Sequence, residues 1–91
     1  MYSIWKYPLL TIDRQYLLLP KSSEILTIQM QKDVPTLWAI VEIDKPKSSI
    51  PLERRTIVIL GTGMTFDKKG SYIGTYQIDN GNYVFHVFEE K

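Results

Sequence analysis

Runs rich in Ile, Val, Tyr, Phe, Trp and Thr recur about every 10 residues, each closed by Pro, Gly, Asp, Asn or Ser. Branched and aromatic side chains suit a pleated, half-buried surface, and no window repeats with a helical period. The segment 20–31 begins Ser-Ser-Glu as a helix can, yet it continues as ILTIQMQ, which alternates with period two. Strands are therefore expected over 2–7, 15–19, 25–31, 36–44, 55–62, 71–78 and 83–89. Regular short strands with turn signals between them predict an all-β fold. The expectation is one domain over 1–91, a small antiparallel β-sandwich or partly open barrel of about seven strands.

Alternation also assigns faces. In the third run Leu26, Ile28 and Met30 share one side, with Thr27, Gln29 and Gln31 on the other. The fourth groups Leu37, Ala39, Val41 and Ile43 against Trp38, Ile40 and Glu42, apolar on both sides near its middle, which predicts a central strand. The last sets Tyr83, Phe85 and Val87 against Val84, His86 and Phe88, which calls for burial on both sides or an oligomer contact. Asn80-Gly81 between alternating runs is a strong hairpin signal. Residues 32–35 are expected to turn the third strand into the fourth, and 45–51 to form the most mobile connector.

A single short domain buries only roughly 60–65% of its unfolded surface, so a compact core or self-association must stabilise it. The aromatic load is heavy for this size, which points to a homo-oligomer. With a net charge of +1 and interleaved signs, the chain has no basic stripe and hence no strong nucleic-acid signature. The doublets Arg54-Arg55 and Lys68-Lys69 are expected to be solvated. Without cysteine there are no disulfides, thiolate nucleophiles or thiolate metal sites. The first ten residues lack the pattern of a signal peptide, and no apolar run approaches the roughly 20 residues of a membrane span. A cytoplasmic protein with no membrane contact, no cofactor and no metal is expected.

The stretch ILGTGMTFDKKGS poses the main chemical question. Phe66 stands where a dinucleotide fingerprint needs its third glycine, and strand-like sequence follows instead of a helix. Gly70-Ser71 lacks the lysine of a Walker loop. Two readings stay open. The turn either ends a strand with a bend or bulge, or exposes successive amides as an anion nest. In the nest reading Gly61, Thr62, Gly63 and Lys68 surround a phosphate. His86 is the only histidine and sits mid-strand, so a multi-histidine metal site is excluded. No pair of carboxylates is singled out by spacing, so catalysis is disfavoured. Trp5, Lys6, Trp38, Tyr76, Gln77 and His86 are candidate contacts to a base or to a protein partner.

The blocks IWKYPL at 4–9, LWAIV at 37–41, GTG at 61–63, YIGTYQ at 72–77 and VFHVFE at 84–89 run in an order that resembles a family of short uncharacterised phage- and prophage-encoded proteins. The resemblance implies a non-enzymatic accessory protein in the host cytoplasm that antagonises antiviral defence. It would do so by sequestering a host-derived ligand, a nucleotide signal being slightly favoured, or by acting as an inhibitor or adaptor that blocks a host defence protein. A small hydrolase or lyase using His86 and a carboxylate such as Glu89 is the further alternative.

Overall fold

The computed structural model describes residues 1–44, 46 and 49–91. Among the described residues seven strands form, and all their pairings are antiparallel. They are β1 (Tyr2–Pro8), β2 (Arg14–Pro20), β3 (Glu24–Gln31), β4 (Val34–Glu42), β5 (Leu52–Gly61), β6 (Ser71–Ile78) and β7 (Tyr83–Glu90). One sheet has the order β1-β4-β3 and the other β2-β5-β7-β6. The sheets pack face to face, with Leu19, Leu37, Ala39, Ile57 and Val87 fully buried between them. This is the sandwich expected from strand spacing. β4 and β7 are both central strands, as their two-sided apolar patterns require. The connector 45–51 lies partly outside the described residues.

Turn chemistry closes the hairpins. Lys32 and Asp33 take φ of 48° and 66°, so these two residues alone link β3 to β4. Positive φ at both central positions is the primed turn whose twist matches paired strands. Val34 and Pro35 belong to β4 and not to the turn. Asp79, Asn80 and Gly81 are likewise left-handed, and Gly81 N–H donates to the Ile78 carbonyl.

The face assignment of β3 needs correction. Its pairing with β4 slips between Ile25 and Thr27, so a bulge interrupts the alternation. Ile25 lies opposite buried Ala39 and Ile28 opposite buried Leu37, while Leu26 is turned out to solvent. β6 slips in the same way between Tyr72 and Gly74. The two bulged edges lie against each other: a Cβ built on Gly74 would stand 2.5 Å from Ile28 Cγ2. The sandwich is therefore closed along β3 and β6. Along β1 and β2 it is open.

Tyr76 is buried, and its hydroxyl meets Thr11 Oγ1 at 2.8 Å. Burial raises its pKa above the ordinary 10.0, with the Thr11 hydrogen bond opposing, and burial raises Tyr7 as well. A phenol raised in the fold stays protonated there while the unfolded chain ionises. Its contribution to stability is thus complete below pH 10.0 and is lost as pH climbs through the folded value. Urea midpoints should fall above pH 10.0, and less so in Tyr76→Phe. Identical slopes in the two proteins would refute this.

Candidate functional site

The glycine turn ends β5. Gly63 has φ of +91°, and Met64 N–H closes the turn on the Gly61 carbonyl at 3.1 Å. Thr62 N–H donates to the Val84 carbonyl and Gly61 N–H to Met64 Sδ. A nest needs successive amides free to face an anion, and here those of Gly61, Thr62 and Met64 are engaged within the chain. Lys68 lines a different hollow of about 320 Å³, on the outer face of the four-stranded sheet, where Arg14 is ion-paired with Glu90. The phosphate constellation of Gly61, Thr62, Gly63 and Lys68 is not assembled.

His86 projects from the outer face of β7. Its Nε2 meets Thr62 Oγ1 at 2.7 Å, and its Nδ1 meets Thr75 Oγ1 at 3.0 Å. Thr75 in turn contacts the Tyr72 hydroxyl at 2.6 Å. Glu89 lies on the opposite face of the strand, bound to Arg55. The His86–Glu89 pair is therefore corrected. The two are three positions apart along a strand of period two, so their side chains leave from opposite sides. Hydroxyls hold both ring nitrogens.

The remaining candidates scatter. Tyr76 is a core residue, with its ring 5.5 Å from that of Phe85. Gln77 lines a separate hollow of about 470 Å³ beside the Asn80-Gly81 turn. Trp38 is half-buried on the outer face of β4, in register between Lys6 and Thr27. Trp5 and Lys6 stand together in one concavity.

That concavity is a groove of about 550 Å³ along the open seam. β1 lends it Ile4, Trp5, Lys6 and Tyr7, and the facing wall includes Leu18 of β2 and Leu52 of β5. Ile4 and Leu18 are each 60% exposed and Leu52 is 56% exposed. The backbone beside it is open too. Leu9 N–H donates to the Pro35 carbonyl and Ile43 N–H to that of Met1, so odd-numbered residues of β1 aim their amides and carbonyls at β4. By alternation Tyr2, Ile4 and Lys6 aim theirs away from the sheet. Sequence reasoning singled out Trp5 and Lys6 but passed over Leu18 and Leu52. A signal was present in the run Leu17-Leu18-Leu19, where a strand buried on one face must show a leucine on the other.

Fold and site together define an open seven-stranded β-sandwich with an apolar, aromatic groove between two free strand edges. Among the described residues, no group of His, Asp or Glu side chains is placed to hold a metal ion, and no helix is long and apolar enough to cross a membrane. The chain belongs to the family described as a domain of unknown function, DUF7352, which matches residues 1–91. No curated protein and no solved structure matches it.

Proposed function

We propose that this protein is a non-enzymatic binding module that takes an extended polypeptide segment into its open seam. The observation that carries this reading is the pairing of a free β1 edge with the apolar groove beside it. A peptide added there would hydrogen-bond to Tyr2, Ile4 and Lys6 while its alternate side chains enter the groove, the mode known as β-strand addition. The three-stranded sheet is one strand short of the sheet it packs on, so an added strand evens the two layers. In the phage setting implied by the resemblance, the segment belongs to a host defence protein that is thereby blocked. The inhibitor reading gains over the nucleotide one because the groove is apolar and the amides of Gly61, Thr62 and Met64 in the glycine turn are engaged.

The test is selection of binders from a displayed library of random peptides, followed by hydrogen exchange with a selected peptide. New protection is expected at Ile4 and Lys6 amides. Leu18→Glu, at an exposed position, should weaken binding at least tenfold without loss of folding. Protection confined to the Gly61–Gly63 region, or saturable binding of a cyclic nucleotide that the Gly61→Val/Gly63→Val double variant abolishes, would return the nucleotide reading.

A further inference from the structure

We propose that in the protein's resting state the strand occupying the open seam is β1 of a second copy, so that two chains form a symmetric dimer with one continuous sheet. This rests on the seam reading above and names its first occupant. Three observations support it: surface area, the condition of the two free edges, and the hydrogen-bonding pattern of β1.

The accessible area is 6318 Å² for a chain of 10.6 kDa. A folded monomer of that mass exposes roughly 5,500 Å². The surplus of about 800 Å² equals one partner's share of a standard protein interface. The chain is also flat, with extents of 43 × 31 × 16 Å, which is where a surplus of this kind arises.

Natural sheets guard free edges with charge, proline or a covering segment. β3 and β6 guard each other by contact. On β2 two outward residues already have partners, Arg14 on Glu90 and Tyr16 beneath the Arg54 guanidinium at 4.5 Å, while Leu18 is exposed and lines the groove. β1 is the less protected edge. Tyr2 is 71% exposed and Ile4 60%. Lys6, its one charged side chain, reaches back across the sheet, and its Nζ donates to Gln31 Oε1 of β3 at 2.8 Å. The charge that would defend the edge thus leans away from it.

The pattern also sets the register. If two β1 strands pair antiparallel with the twofold axis at Ile4, Ile4 faces its own copy and Tyr2 faces Lys6. Every outward amide and carbonyl of Tyr2, Ile4 and Lys6 is then paired reciprocally, and no like charges meet. Pro8, which has no amide hydrogen, falls beyond the ladder. Moving the axis to Trp5 sets Tyr2 against Pro8 and leaves the Tyr2 carbonyl without a donor.

Because the chain has no cysteine, a single introduced thiol reports this register cleanly. Residues paired directly across an antiparallel ladder have Cα atoms about 5.5 Å apart, within disulfide range. Ile4→Cys should therefore oxidise rapidly to a covalent dimer. Lys6→Cys, whose copies lie about four residues apart along the strands, should do so at least tenfold more slowly. Sedimentation should give twice the chain mass for the natural protein and the single-chain mass for Ile4→Lys, which stays folded by circular dichroism because position 4 is exposed. A single-chain mass for the natural protein at every concentration, or equal cross-linking at the two positions, overturns the dimer. In the dimer these amides are already covered, so peptide protection at positions 4 and 6 is measured on the single-chain Ile4→Lys protein, and failure of the dimer is distinguishable from failure of the seam reading.

Discussion

Arg55→Ala should lower stability by about 3 kcal/mol, the toll of leaving a buried charge without its partner. Arg55 and Glu89 have side chains only 16% and 12% exposed. Arg55 Nη2 donates to Glu89 Oε1 at 2.9 Å, while Nε bonds the other carboxylate oxygen. Nη1 donates to the Ser23 carbonyl at 2.9 Å, in the connection between β2 and β3 where the chain crosses between sheets. Removing the guanidinium orphans a carboxylate facing the inside of the sandwich and frees that crossing. For a domain of this size the melting temperature should drop by roughly 12–24 °C. The double variant Arg55→Met/Glu89→Leu should recover most of the loss, since an apolar pair of similar volume needs no charge compensation. Thermal unfolding of the two single variants and the double variant measures the coupling. An Arg55→Ala protein melting within a few degrees of the natural one would show that the pair is solvated.

That pair also shows what the residues announced and what they withheld. Arg54-Arg55 reads as a solvated doublet, and Arg54 is exposed, lying over Tyr16. Arg55 differs because it shares its face with Ile57 and Ile59, both buried. The alternation carried this information: an arginine in phase with two core isoleucines must bring an anion with it. Strand positions, the central places of β4 and β7 and the Asn80-Gly81 hairpin were legible for the same local reason, since period and turn chemistry act over a few residues. The bulges in β3 and β6 were not. They arise from the nesting of two strands far apart in the chain, with Gly74 against Ile28.

The groove was half legible. IWKY stands out by its aromatics, but its one-sided alternation does not say which side of the strand is left unpaired. β1 and β2 carry Lys6 and Arg14 among their apolar residues, and strand order is what leaves each unpaired on one side. The glycine turn misled for the converse reason. Gly61 and Gly63 suggest free amides, yet the Thr62 amide between them is taken by the Val84 carbonyl, which β7 brings alongside from the far end of the chain.

The closed seam makes the second strong prediction. Gly74→Ala should destabilise the protein by about 1–3 kcal/mol, and Gly74→Val by more. Acting on the unfolded chain alone, glycine to alanine stabilises by roughly 0.4–1 kcal/mol, so the sign of the change identifies the contact. The added carbon would stand 2.5 Å from Ile28 Cγ2 and 3.5 Å from the Ile28 backbone nitrogen and oxygen. Ile28 is buried with a stiff branched side chain, so relief must come from separating β6 from β3. Ile28→Ala alone should cost about 2–5 kcal/mol through the cavity it leaves. Combined with Gly74→Ala it should cost less than the sum, because the new methyl enters that space. Urea unfolding of the four proteins supplies the cycle, and sedimentation supplies a second readout. Parting the seam exposes the edges of β3 and β6, which hold each other away from solvent in the natural protein, so Gly74→Val should associate into large, polydisperse species. A stable Gly74→Val protein of natural size would mean that β3 and β6 do not close the sandwich, and β1 would then lose its distinction as the edge left open for a partner.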